Sequence, residues 1–422
     1  MRALSLLLGG LAAASPALAT QDFPPVAVGS TVQYVVADEL HTVSGEVLAD
    51  RFVRIEDGRI AAIGDAAALP RLRPETPVVR ARVVTPGLVD VRTVVGLAGI
   101  YNASGQAHDQ DQLERSKPIQ PGLRAVDAYN AREDLVAYVR SYGVTTIHTG
   151  HGPGALISGQ TMIAKTHMRT ADKDVIVPTF GVAATLATSA QRGSGAPGTR
   201  GKAVSMLRAA LIEAREYQDS WDRAEEDKAP KRDLNKDALV RVLKGEAPLI
   251  VTAHRAQDIA SALRIGEEFG VRVWLDMAAE AYALVDEIRA AGVPVLLHPS
   301  MTRANGENEN LSFTTAAKLA EADVPFAIQT GYEGYVPKAR VLVFEAAIAA
   351  AYGLDRAKAL EAITLTPARL LGMADRVGSI EVGKDADLVI TTGDPIDPRT
   401  SFDATWVNGV RVYEAARDGR AW

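Results

Sequence analysis

Four of the seven histidines in this chain stand at the ends of short apolar segments that are typical of β-strands. His148 and His151 are spaced His-x-x-His on a glycine-rich stretch, and His254 and His298 each close a later apolar run. Imidazole nitrogens are common ligands of divalent metals and common acid–base groups. His148, His151 and His254 are therefore candidate ligands for one divalent metal ion, Zn²⁺ or Mn²⁺. The alternative is that these histidines are hydrogen-bonded polar residues of a pocket without metal.

Charged residues occupy similar positions at predicted strand ends. Asp276 ends an apolar run and, together with His298, is a candidate catalytic residue. Arg92 and Lys165 are candidate substrate contacts. A guanidinium can bind a substrate carboxylate through two parallel hydrogen bonds, or it can pair with a carboxylate of the protein, here Asp90 or Asp276. The sequence leaves both roles open for Arg92.

The elements that must position these residues follow an alternating βα pattern. Short apolar strands and longer amphipathic helices alternate over residues 85–373, which predicts an α/β fold with a (β/α)₈ TIM barrel. Residues 160–166 are a candidate for its fourth strand. Both ends of the chain carry β-branched segments with hairpin signals, so residues 20–84 and 374–422 are predicted to form one small composite β domain beside the barrel. Barrel enzymes place their sites at the carboxyl ends of the strands, where the candidate residues fall.

Two motifs resemble the amidohydrolase superfamily. VVTPGLVD lies at the first barrel strand (83–90), and TLTPARLLGMADRVGSIEVGKDADLVITTGDP lies near the end of the chain (364–395). Within the superfamily the chain is most similar to the imidazolonepropionase-like and exported dipeptidase-like branch. The resemblance implies hydrolysis of a carbon–nitrogen bond in an amide, a cyclic amide or a dipeptide-like substrate. It also implies one or two divalent metals at the barrel mouth, which polarise the substrate and supply hydroxide.

The metal-ligand positions that this resemblance implies carry other residues here. Arg92 and Val94 stand where a His-x-His is expected, Thr252 and Met277 replace two later histidines, and Gly331 replaces an aspartate. No His-x-His occurs anywhere in the sequence. The expected site is therefore degenerate. The chain is predicted to be a hydrolase with a remodelled active site or a catalytically inactive pseudo-amidohydrolase, which would bind a small carboxylate ligand or act as the partner of an active relative.

Composition and the N-terminus limit the remaining possibilities. The 422 residues have a formal net charge of −6 without long charged runs, which argues against nucleic acid and leaves a small molecule as the expected ligand. Residues 1–19 are typical of a signal peptide with cleavage after Ala19, so we expect a periplasmic or secreted protein. No later segment is apolar enough to span a membrane. A homo-oligomer, or a hetero-oligomer with a related amidohydrolase, is possible for such a chain.

Overall fold

The structure is a computed structural model that describes residues 32–100, 110–191, 195–225, 229–333 and 337–419. The predicted signal peptide lies outside these ranges. Within them, no helix combines the length and the apolar character needed to cross a membrane.

Both ends of the chain contribute to one seven-stranded sheet with the order β17-β16-β15-β4-β1-β2-β3. Its strands are β1 Gln33–His41, β2 Val47–Glu56, β3 Arg59–Asp65, β4 Val78–Pro86, β15 Leu388–Thr391, β16 Phe402–Val407 and β17 Val410–Glu414. The predicted turns Asp57-Gly58 and Asn408-Gly409 have positive φ at all four residues, as a type I′ hairpin requires. The side chain of Trp406, on β16, is buried in the apolar cluster that this sheet forms.

The middle of the chain forms two further sheets. A four-stranded sheet has the order β5-β6-β8-β9, and a six-stranded sheet has the order β14-β13-β12-β11-β10-β7. Their strands are β5 Leu88–Thr93, β6 Val144–Thr149, β7 Ile157–Gln160, β8 Met162–Lys165, β9 Val175–Val177, β10 Val182–Thr185, β11 Leu249–Ala253, β12 Val273–Met277, β13 Val295–Leu297 and β14 Phe326–Ile328. β5 runs parallel to β6, and β10 to β14 run parallel to one another.

The two inner sheets meet at the ends of β5 and β14. A single parallel bridge joins Thr93 to Gly331, and the amide of Gly331 donates to the carbonyl of Arg92 (3.2 Å). Ladder hydrogen bonds do not close the described strands into a continuous barrel. One apolar cluster nevertheless receives side chains from β5, β11, β12, β13 and β14, so these strands surround a common interior: Val89, Val91, Ile250, Trp274, Leu296 and Ala327. The fold is mixed α/β.

One strand prediction was wrong. The segment 160–166 contains β8, which runs antiparallel to β6 with Thr146 opposite Lys165, so it is not the fourth parallel strand. The strand that pairs in parallel with β11 on the side away from β12 is β10, which the sequence pattern missed. It has four residues, and the two in its centre are alanines, which have low β-propensity, so the segment gives no clear strand signal.

Helices connect and cover the inner strands. They are α1 Asp134–Ser141, α2 Ala171–Asp174, α3 Arg200–Arg223, α4 Leu234–Leu243, α5 Ala256–Phe269, α6 Val285–Ala291, α7 Thr315–Glu321, α8 Leu342–Ala351, α9 Arg356–Glu361, α10 Leu365–Leu370 and α11 Ala415–Asp418. Thr199 caps the N-terminus of α3, where its hydroxyl accepts from the amide of Lys202, and Gly270 caps the C-terminus of α5 in the left-handed conformation.

Candidate functional site

Arg92 lies at the centre of the strand ends. Its side chain is buried (3 % exposed), and it comes from β5, whose alternation turns Asp90 and Arg92 to one side. Nη1 donates to the carbonyls of Thr93 (2.9 Å) and Gly150 (3.3 Å), and Nη2 donates to the carbonyl of His151. Burial lowers the pKa of Arg92 from its ordinary value, opposed by the charges of Asp276 and Asp90. A guanidinium stays protonated under such shifts, so a permanent cation occupies this position.

Asp276 at the end of β12 faces this cation. Its Oδ2 lies 4.0 Å from Nε of Arg92 and accepts from the hydroxyl of Thr252 (2.6 Å). Its Oδ1 accepts from the side-chain amide of Gln329 (2.9 Å). Asp276 is therefore a fully buried carboxylate with three groups of the protein around it.

Asp90 is a second buried carboxylate on the same strand as Arg92. It accepts from the backbone amide and the hydroxyl of Thr330, which follows β14, and from the amide of Arg92 (3.3 Å). Burial raises the pKa of Asp90 to about 7, although the hydrogen bonds from Thr330 and the charge of Arg92 oppose the shift. Asp90 therefore ties β5 to β14 at the site.

A small cavity lies beside these groups. Residues lining it include Arg92, Val94, Asp276, Met277, Gln329 and Gly331. Its space for water-sized groups is about 10 Å³, which is room for about one water molecule. Four of the five degenerate ligand positions line this cavity, and the fifth, Thr252, bonds to Asp276. The cavity therefore marks the place where the family resemblance puts the metal.

The three histidines predicted as metal ligands do not form one site. Both ring nitrogens of His148 are hydrogen-bonded, Nδ1 to the carbonyl of Val91 (2.6 Å) and Nε2 to the hydroxyl of Thr161 (2.7 Å). Burial, and then the charge of Arg92, lower the pKa of His148 to about 3, which keeps the ring neutral. The same two causes lower the pKa of His151 to about 4.

His254 and His298 lie at the ends of other strands of the six-stranded sheet. Nδ1 of His254 has no hydrogen-bond partner among the described residues, and burial lowers its pKa. His298 is fully buried; Nδ1 bonds to the carbonyl of Pro299 (2.8 Å), and burial lowers the pKa of His298 to about 4. His254 and His298 follow β11 and β13, whereas His148 and His151 belong to the β6 end.

Lys165, predicted as a substrate contact, is not at this site. It ends β8, which runs opposite to β6, so it emerges at the other end of the strands. Its Nζ lies 2.5 Å from Oδ2 of Asp387 and 3.2 Å from Oδ2 of Asp385, both next to β15. Lys165 is thus a buried ion-pair residue between the inner strands and the seven-stranded sheet, and the prediction of substrate contact is not supported.

Strand register also corrects the residue on β12 that takes the place of a metal-binding histidine, which the resemblance assigned to Met277. Thr252 pairs with Asp276, whereas Met277 pairs with Ala253 and has a positive φ of 70°. The residue on β12 at the level of Thr252 is therefore Asp276. Gln329, which bridges Asp276 and the carbonyl of Leu296 (2.7 Å), was missed because a glutamine at a strand end carries no specific sequence signal.

These residues do not fit the divalent metal that the family implies. A metal here would meet one carboxylate, that of Asp276, and the permanent positive charge of Arg92. Across the described ranges, no three His, Asp or Glu side chains are grouped so that they could hold a metal ion. A substrate carboxylate is not favoured either, because the free Nε of Arg92 faces Asp276 and an anion there would meet a like charge.

Comparison with known proteins identifies the scaffold. The profile of the Amidohydrolase family matches residues 273–413. Amidohydrolase TasK of Hapsidospora irregularis is 25 % identical over 396 residues, which cover 86 % of this chain but 40 % of TasK, so the chain spans less than half of that relative. Imidazolonepropionase of Maricaulis maris is 25 % identical and is matched over 80 % of this chain and 85 % of its own length.

A solved amidohydrolase structure from Thermotoga maritima superposes with a TM-score of 0.83 at 26 % identity, covering 90 % of this chain and 99 % of that one. Solved structures with the same fold include one with bound zinc. The shared fold, the profile match and the two sequence relatives agree with the motifs at β5 and α10. In sequence and in fold, the chain is similar to members of the amidohydrolase superfamily.

Proposed function

We propose that this chain is a pseudo-amidohydrolase that binds a small molecule at the strand ends without a divalent metal. The observation that carries the proposal is the buried guanidinium of Arg92 at the family's metal position, held by three backbone carbonyls. The guanidinium of Arg92 can neutralise the carboxylate of Asp276. Unlike a metal ion, it has no coordination position for a water molecule and cannot lower the pKa of that water. Arg92 therefore cannot generate the hydroxide that the metal supplies in the family.

The metal content of the mature protein tests this proposal. The chain is expressed in medium supplemented with zinc and manganese, and the purified protein is analysed by elemental mass spectrometry. We expect well below one metal ion per chain. One or more ions per chain would overturn the proposal. The matched variant carries Arg92→His and Val94→His, which places two imidazoles beside Asp276, and its metal content should rise.

Hydrolysis of a carbon–nitrogen bond with a remodelled site is the second candidate. It is favoured by the carboxylate of Asp276, which lines a cavity with room for about one water and can act as a general base. His298 would be the second catalytic group, as the sequence predicts. A screen with amides, cyclic amides and dipeptides, with Asp276→Asn as the control, tests it. Turnover that the variant loses would favour this candidate over the pseudoenzyme.

We also infer that β5, β6 and β10 to β14 belong to a (β/α)₈ barrel that spans residues 85–373, flanked by a composite β domain from the two ends. The interior cluster that β5 and β11 to β14 share supports the inference, and β6 and β10 join it by their parallel pairing with β5 and β11. Export is proposed from the sequence of residues 1–19. The intact mass of the protein secreted by a Gram-negative host should correspond to a chain that starts at Thr20, and a full-length mass would contradict export.

A further inference from the structure

Helix α3 presents one face to solvent along its length. It has 24 residues and is the longest helix in the described ranges, so it spans about 36 Å. Tyr217 donates to Asp237 of α4 (3.0 Å), and Arg208 donates to Glu268 of α5 (2.7 Å), so α4 and α5 lie beside the helix. The face of α3 that packs into the core carries six buried side chains: Ala203, Leu207, Ala210, Leu211, Ala214 and Tyr217.

Six exposed residues form a regular stripe on the opposite, outer face of α3. Successive members are separated by three, four, three, four and three residues, which is the spacing of the contact seam of a coiled coil. Ile212, at the middle of the stripe, is 43 % exposed and lies next to the small side chain of Ala209. We call these residues the α3 stripe: Lys202, Ser205, Ala209, Ile212, Glu216 and Asp219.

The charges of the α3 stripe are ordered against the dipole of the helix. Lys202 lies in the first turn, which holds no acidic residue, although the N-terminus of a helix favours anions. Glu216 and Asp219 lie in the C-terminal half, towards the end that favours cations. The ion pairs that α3 makes with neighbouring elements use Arg200 and Arg208, which are not members of the stripe. The charge order of the stripe therefore does not stabilise α3 by itself.

A second copy of α3 in the antiparallel direction is complementary to this stripe. Its spacing is the same in both directions, so a twofold axis midway between Ala209 and Ile212 brings all six positions opposite one another. Lys202 then faces Asp219 of the second copy, and Ser205, a hydroxyl donor, faces Glu216. Ala209 leaves room for the larger Ile212 of the second copy. Each of these three contacts occurs twice, and the two helix dipoles run in opposite directions.

We propose that the α3 stripe is the contact surface of a homodimer in which the α3 helices of two copies pack antiparallel. A crossing angle of about 20°, which this kind of spacing favours, keeps both ends of the stripe within reach of long side chains. A strip about 36 Å long and about 10 Å wide covers on the order of 400 Å² per copy, about half of the ~800 Å² per partner in a stable interface. The dimer should therefore dissociate on dilution.

Sedimentation velocity of the mature chain between about 1 µM and about 500 µM tests the dimer. We expect the dimer fraction to rise with concentration. Lys202→Asp and Asp219→Lys should each weaken the dimer about tenfold, because each places like charges opposite one another twice. The double exchange restores opposite charges and should return the dissociation constant to within about threefold of the original value, while Lys173→Asp, at an exposed lysine of α2, should not change it. A monomer at every concentration, or a double exchange as weak as the single variants, would overturn the proposal.

Chemical cross-linking locates the contact independently of these charges. The chain has no cysteine, so one engineered thiol reports its own surroundings. In Ala209→Cys the two thiols of a dimer lie on either side of the twofold axis, and a short bismaleimide should join the two copies covalently. Val382→Cys, at a residue that is 62 % exposed and outside α3, is the control and should remain mostly monomeric. Equal cross-linking of the two variants would overturn the α3 contact, even if sedimentation shows a dimer.

Discussion

Arg92 is the residue on which the site depends most. Arg92→Met keeps an apolar stem of similar length, but it leaves Asp276 buried without its cation and removes the donor from three backbone carbonyls. We expect the free energy of unfolding to fall by about 3 kcal/mol, because removing one member of a buried ion pair leaves an uncompensated charge. Urea denaturation measures the change. The control is Arg399→Met, at an exposed arginine whose pair with Asp397 is at the surface, and no measurable change is expected there.

Asp90 makes the stability of the site depend on pH. Burial raises its pKa from 3.8 to about 7, so the folded state binds the proton more tightly than the unfolded state. The resulting stabilisation is complete below pH 3.8 and is lost as the pH rises towards 7. One pKa unit corresponds to about 1.4 kcal/mol, so the titration of Asp90 should lower the free energy of unfolding by a few kcal/mol over this range. Asp90→Asn should flatten the decline in unfolding free energy between pH 5 and pH 8, and an unchanged pH profile would refute the assignment.

The residues of the site were predictable to different degrees. The places of Arg92 and Asp276 follow from their positions at strand ends, since the end of a parallel strand fixes where a side chain lies, while their roles stay predictions. Lys165 was misplaced because the same reasoning fails for an antiparallel strand such as β8, whose carboxyl end lies at the opposite edge of the sheet. Gln329 could not be found, because its role comes from two hydrogen bonds that no spacing in the sequence encodes.

At the scale of elements, the backbone that follows β14 explains why an aspartate at position 331, where the family has one, would destabilise this chain. Gly331 has φ +66°, and a Cβ there would lie 3.0 Å from Cγ of Pro299 and 3.1 Å from Cε of Met277. Gly245 has a similar φ of +71° but nothing within 4 Å. The left-handed backbone should lower the free energy of unfolding by about 1 kcal/mol in both Gly245→Ala and Gly331→Ala. Overpacking should lower it by about a further 1 kcal/mol in Gly331→Ala alone. Equal losses in urea denaturation would show that the contacts at Gly331 are not limiting.

Strand periodicity predicted most of the inner elements but not their order in the sheets. β11 to β14 were recognisable because strands buried on both faces are continuous apolar runs. β10 has no such run, and β8 has an apolar pattern that is equally compatible with either strand direction. Direction is decided by pairing partners far apart in the chain, which a local pattern does not contain.

At the scale of the whole molecule, buried charges connect the inner strands to the seven-stranded sheet. Lys165 on β8 pairs with Asp385 and Asp387, and Asp387 also accepts from the amide of Asn408 in the last hairpin (2.8 Å). The amide of Gly87, between β4 and β5, donates to the carbonyl of Asp387 (2.9 Å). The two layers are therefore joined by one network, and they should unfold together in a single calorimetric transition.

Lys165→Met should separate these layers without touching the mouth. The substitution leaves the buried carboxylates of Asp385 and Asp387 without the lysine. Both lie where the seven-stranded sheet contacts the inner strands, so the unpaired charges should weaken the contact between these layers. We expect the single transition to become two, with Trp406 fluorescence reporting the sheet and Trp274 fluorescence reporting the inner strands in single-tryptophan variants. Lys173→Met, at an exposed lysine of α2, is the matched control and should keep one transition. If Lys165→Met instead lowers the transition temperature while both tryptophans still unfold together, the layers are held by their apolar contact and the ion pairs add only stability.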